Sequence, residues 1–230
     1  MTTAQTAAEA FNRYQDALEH DALIQGTWHR EAEGRHLACG LGVLGDDVTS
    51  PAKCPAQIMP RWLAQQTVFF FDGQDFADAK AWGLRFYAEI KRLNGAVPFS
   101  VIHDWQANVV GPLAIEVATK HKRNVGAHEA LQKMQAEAFA GKKFTAEEWK
   151  PVLKAAFVDA YANANAYANA NAYAYAYAYA NADADAYAYA YANAYANADA
   201  YAYAYRSAIK RLADGMVACL ARVPSPSETN

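Results

Sequence analysis

No apolar stretch in this sequence approaches the roughly 20 residues needed to span a bilayer. Residues 1–12 lack the basic start and apolar centre of a secretory signal. Cysteine is scarce: Cys39, Cys54 and Cys219 are the three in 230 residues, too few and too scattered for a disulfide framework. These absences predict a protein of the reducing cytoplasm with no membrane partner. Charge of one sign is missing as well. Basic residues number 21 and acidic residues 24, a net of -3 that Asp183, Asp185 and Asp199 account for by themselves. With no basic field to draw in phosphate, nucleic acid is not an expected partner. Glycine and proline are absent from residue 152 to residue 214, so that span has none of the usual chain-turning residues.

What is present is helical in pattern. Thr6 and Glu9 are spaced as a capping box, Phe11, Tyr14 and Leu18 follow on one face, and Gly26 closes the segment. A second stretch, Arg61 to Phe71, carries Trp62, Leu63, Phe69 and Phe70 and ends at Asp72-Gly73. The clearest helix runs from an Asp75 N-cap to Leu93. Phe76, Ala79, Trp82, Phe86, Ile90 and Leu93 recur at steps of three or four, and Asn94-Gly95 is the stop. Pro98 opens a helix striped by Val101, Ile102, Trp105 and Val109, which Gly111-Pro112 should kink or break. Ala127 to Ala140 makes another, and Thr145 with Glu148 caps a last one that holds Trp149 and Pro151 in its first turn.

That last helix runs into a tract of unusual order. From Ala160 to Ala204 every even position is alanine, and the odd positions from Tyr161 to Tyr205 are 13 Tyr, 7 Asn and 3 Asp. The codons of Tyr, Asn and Asp share an A followed by a pyrimidine, and alanine codons begin GC. One hexanucleotide repeat, varying at a single base, therefore encodes the whole segment, which points to repeat expansion. Its structure is contested. Period two is a strand pattern with an Ala face and a Tyr/Asn/Asp face; on a helix it puts alanine on every side. Propensity argues for helix, because the odd residues averaged with Ala cost only about 0.3 kcal/mol per residue relative to polyalanine. A single strand of this length would reach about 150 Å, and a helix from Thr145 to Leu220 roughly 110 Å, so either must turn. The resulting expectation is an all-α fold, a multi-helix domain with a long Ala-rich helical hairpin broken near Asn181-Asp183-Asp185. The alternative is an α-helical domain carrying a β-type Ala/Tyr tract. The expected layout is a helical domain over 1–150, a helical segment over 151–222 packed on it, and a flexible tail over 223–230.

The tract resembles Ala-Tyr-Asp-rich segments of uncharacterised phage and bacterial proteins. More loosely, an Ala-rich, all-helical chain is similar to the immunity proteins of bacterial toxin systems. The resemblance implies no catalytic residue.

The candidate chemistry is thin. Gly40-Leu41-Gly42-Val43-Leu44-Gly45 matches G-x-G-x-x-G, but Arg35 to Cys39 before it shows no strand pattern and an acidic loop, Asp46-Asp47, follows. Close packing of a helix end through glycine is the expected role. His36 and Cys39 are spaced to share a helix face, Cys54 lies further on, and His29 or His103 would have to complete a metal site. His103-Asp104 reads as a base with its acid, with Ser100 a turn earlier, yet neighbours on a helix point about 100° apart. His103 and Asp104 are thus the catalytic candidates, and His36, Cys39 and Cys54 the metal candidates, each set against an ordinary packing role. No cofactor is expected. A non-enzymatic protein-interaction or assembly protein is the first reading, with a protein partner or a second copy. A small helical enzyme or metal protein using His36, Cys39, His103 and Asp104 is the second.

Overall fold

A computed structural model gives the fold, describing residues 1–120, 122–165, 171–172, 175–179, 187–191, 194–195 and 198–225. From residue 159 to 204 the description is of the backbone alone. The chain is predominantly α-helical. It divides into two compact units, Met1–Pro98 with Val217–Asn230, and Phe99–Met216. No helix among the described residues is long and apolar enough to cross a membrane.

In the first unit, helix α1 (Ala7–Glu19) starts as its capping residues require. Thr6 Oγ1 accepts from the Glu9 amide at 3.1 Å, and the Glu9 carboxylate reaches back to the Gln5 amide at 2.9 Å. A hairpin follows, β1 (His29–Ala32) and β2 (Arg35–Ala38), paired antiparallel with Glu31 opposite His36. Its two turn residues, Glu33 and Gly34, have φ of 53° and 72°, the left-handed pair that a two-residue turn needs to match strand twist. Helices α2 (Arg61–Gly73) and α3 (Phe76–Arg92) supply the buried rings of Phe70, Phe71, Trp82, Phe86 and Tyr87. The stripe read from the sequence is buried from Ala79 through Trp82, Phe86 and Ile90 to Leu93. Phe76, its first member, stays 36% exposed under the Lys80 ammonium. Gly83 and Tyr87 are buried as well, because α3 packs a second face against α1. A Cβ at Gly83 would lie 2.1 Å from the Tyr14 hydroxyl, so glycine is what lets Tyr14 reach the Ala79 and Lys80 carbonyls. On α2 the buried aromatic pair is Phe70 and Phe71, with Phe69 half-buried.

In the second unit, α4 (Ser100–Trp105) continues through a widened π turn (Gln106–Val110) into α5 (Gly111–Lys120). Pro112 therefore does not break the helix. It lacks the N–H that would pair with Asn108, and its ring would crowd that carbonyl; the wide turn just before it absorbs the misfit. Helices α6 (Gly126–Phe139) and α7 (Ala146–Asn165) pack around Leu131, Met134, Trp149 and Ala156. The second capping box is complete: Thr145 Oγ1 accepts from the Glu148 amide, and the Glu148 carboxylate from the Thr145 amide.

The centre of the tract departs from the helical hairpin. Among the described residues between α7 and the last helix, α8 (Ala198–Ala221), lie four short strands: β3 (Asn171–Ala172), β4 (Tyr175–Tyr179), β5 (Tyr187–Tyr191) and β6 (Ala194–Tyr195). β4 pairs antiparallel with β5, tyrosine opposite tyrosine and alanine opposite alanine, and β3 pairs with β6 in the same register. A per-residue propensity sum misses this outcome because it treats each position alone. On a ribbon the alternation gathers all tyrosine positions on one face. On a helix the same residues form no stripe. Helix persists where the flanks anchor it, to Asn165 on one side and from Ala198 on the other. The break expected at Asn181-Asp183-Asp185 lies outside the described residues, as does the tail from residue 226.

Within the first unit, the end of α8 is tied to α3. Arg92 donates to the carbonyls of Leu220 and Val223, each at 2.8 Å, and Cys219 and Leu220 are buried. Within the second unit, Trp105 Nε1 donates to the Leu212 carbonyl at 2.9 Å.

Candidate functional site

The residue types named from the sequence separate in the structure. His36 lies on a strand, where residues three apart point to opposite faces; it therefore does not share a face with Cys39, as a helix would have allowed. Cys39 is buried, its Sγ accepting from the Gly42 amide at 3.3 Å, and burial pushes its thiol up. Burial likewise pushes the Cys54 thiol up to about 12. Neither sulfur offers a ready thiolate, the form that binds metal.

His103 and Asp104 sit in the second unit with partners that lead apart. His103 Nδ1 donates to Gln135 Oε1 at 2.6 Å, and its ring stacks on Trp149 at 5.8 Å with 5° between the planes. Desolvation holds this imidazole below its ordinary value, the Gln135 bond opposing. Asp104 is buried and accepts from Asn108 Nδ2 at 2.7 Å. Ser100 is exposed. These partners suit helix packing better than a base oriented by its acid.

The glycine motif is also resolved. A strand, β2, does precede it, contrary to the sequence reading, because the Glu33-Gly34 turn pairs Arg35–Ala38 with β1. The residues after Gly40 make only a single 3-10 turn, Gly42–Leu44, so no helix N-terminus meets a pyrophosphate. The glycines serve close approach. A Cβ on Gly40 would lie 2.6 Å from the Phe71 ring, and one on Gly42 would lie 2.4 Å from the Trp28 carbonyl and 3.1 Å from the His29 ring.

That close approach assembles the densest group of ligand-type atoms among the described residues. His29, Glu31 and His36 share one face of the hairpin: Glu31 is two residues from His29 and directly opposite His36. The turn at Gly42–Leu44 carries Asp46 to the same place. One nitrogen from each histidine and an Asp46 oxygen all lie within 4.8 Å of one another. His36 Nδ1 meets Glu31 Oε1 at 2.6 Å, and His36 Nε2 meets Asp46 Oδ1 at 3.3 Å. The imidazoles stand 5.3 Å apart, tilted by 31°. Both nitrogens of His29 are buried without a hydrogen-bond partner. Asp46 Oδ2 contacts the Met1 amino group, which is the first cause holding this carboxyl below the usual range; the imidazole charges of His36 and His29 add to it.

His36 was legible as a candidate, but Asp46 was read only as loop charge. The missing signal was the hairpin. The symmetric run His29-Arg30-Glu31-Ala32 and Arg35-His36-Leu37-Ala38 around Glu33-Gly34 is a two-residue-turn pattern, and it predicts which side chains share a face. No protein family, curated protein or solved structure matches the chain.

Proposed function

We propose that this protein is a non-enzymatic assembly protein whose Ala-x tract joins it to further copies of itself by strand addition. The observation that carries this reading is the Tyr175–Tyr179/Tyr187–Tyr191 pair, tyrosine opposite tyrosine along its length. Among the described residues it is a two-stranded ribbon in which neither strand pairs with a third, a size that is marginal alone in water, and a strand edge without a partner strand is a template for pairing with another chain. The residues from Tyr187 to Asn197 carry no charge, glycine or proline, the devices by which edges are usually blunted. A two-residue period also makes every two-residue slip equivalent, so a strand from a second copy finds many acceptable registers. The polar partnering of His103 and Asp104 by Gln135 and Asn108 supports a role without catalysis.

Sedimentation velocity of the full chain across a wide concentration range tests this. The parent should shift to larger species as concentration rises. A Tyr177→Pro/Ala178→Pro variant should not, since adjacent residues direct their N–H groups to opposite edges and two prolines remove a donor from each. A parent that stays monomeric throughout, or a variant that associates like the parent, overturns the reading.

A further inference from the structure

We propose that His29, His36 and Asp46 form a binding site for a divalent first-row transition metal ion, with Glu31 as the residue that orients His36. The site is independent of the tract and of the assembly reading.

Two imidazoles and one carboxylate are the donor set that zinc, cobalt(II) and their neighbours take from proteins when solvent or a further ligand completes the shell. The hairpin supplies it by construction. Its register fixes His29 and His36 on one face, and the tight Gly42 turn holds the Asp46 loop over that face. The widest separation, within 4.8 Å, closes to the edge of a coordination tetrahedron with side-chain shifts of about 1–1.5 Å, given metal–ligand bonds near 2.0–2.2 Å.

Two further observations point to a ligand and not to a chance meeting of polar groups. The first is the Glu31–His36–Asp46 line. With Nδ1–H given to Glu31, His36 turns the lone pair of Nε2 toward Asp46 Oδ1, the arrangement by which a carboxylate behind a histidine fixes the tautomer and raises its strength as a ligand. The second is His29. Buried polar atoms in folded proteins are almost always paired, yet both ring nitrogens of His29 lack a partner. A metal ion on the shared side of the two rings gives one of them its partner. Asp46 can bind through Oδ1 while Oδ2 keeps the Met1 amino group. Neither Cys39 nor Cys54 belongs to the group, so the site is of nitrogen and oxygen only.

Calorimetric titration of the full chain with zinc chloride, and visible absorption on titration with cobalt(II) chloride, test the proposal. The expected result is one saturable equivalent per chain, with cobalt d–d bands and no intense thiolate-to-cobalt band in the near ultraviolet. His29→Asn, His36→Asn and Asp46→Asn should each abolish the saturable equivalent while keeping the parent's helical circular dichroism. Glu31→Gln should keep the site but weaken it about 10–100-fold. A parent that binds neither ion, ligand variants that bind like the parent, or a strong thiolate band would each overturn the assignment. Should a ligand variant unfold, the absence of a thiolate band and the Glu31→Gln affinity remain as the deciding readouts.

Discussion

At the residue scale, one tight constraint in the first unit is the absence of a methyl group at Gly83. Tyr14 buries its ring and hydroxyl over Gly83 because nothing projects from that position. Gly83→Ala should cost about 1–3 kcal/mol, the usual range for overpacking a filled core, even though alanine is the better helix former. Gly126→Ala is the control, since a Cβ there meets only the Asn124 side chain, at 3.2 Å. Urea denaturation of both variants checks this; equal effects would mean that Tyr14 yields easily. A second prediction concerns His103, whose folded pKa lies below the ordinary imidazole value because of burial. Just below about pH 6.5 the unfolded chain then binds more protons at this residue than the folded one. The stability it contributes is complete above the unfolded value and is lost as pH falls through the folded one. The drop in denaturation midpoint from about pH 7 to about pH 5 should therefore be smaller in His103→Gln than in the parent. An equal drop would show that the ring is freely protonated where it stands.

At the element scale, the sequence spoke clearly wherever a single local signal decided the outcome. The stop at Asn94-Gly95 appears as φ of 49° and 76°, and the two Thr/Glu boxes cap the helices they precede. Trp82, mid-stripe, is fully buried and stacked on Phe86 at 4.9 Å. Trp82→Ala should cost about 3–5 kcal/mol in thermal or chemical unfolding, and a melt near the parent's would place the ring outside the core. Legibility failed where two signals competed. In the tract, summed propensity pointed to helix, while period and cross-strand pairing belonged to a sheet that no single residue announces. At β1 and β2 the strands are four residues long, too short for an alternation to be counted, and with them went the group formed by His29, His36 and Asp46. The strand assignment has its own test: Ala176, Ala178, Ala188 and Ala190 fall on one face, so Leu at each should shift the melting temperature alike. A response that rises and falls with a period near 3.6 residues would return the tract to helix.

At the scale of the whole molecule, the proposed metal site and the proposed assembly strands belong to different parts of the chain, and their perturbations should separate. Zinc should raise the melting temperature by mass action on the folded form, and a chelator should reverse the gain without changing the sedimentation profile. The proline pair in β4 should do the converse. Coupled responses, in which the chelator also disperses the assembly, would mean that the ion bridges copies.

The order in which the chain is made adds a consequence of its own. The first unit is built from residues 1–98 and from the final helical turns beyond Met216, so the contacts of Cys219 and Leu220 with its core form only after what lies between has been translated. The Arg92 guanidinium and the seat of Leu220 must wait for residues more than a hundred codons downstream, and during that wait the self-complementary tract emerges. A chain released early, within the repeats, would lack the Arg92 contacts to Leu220 and Val223. The last helix thus adds its contacts to the N-terminal half only after the repeats have been translated.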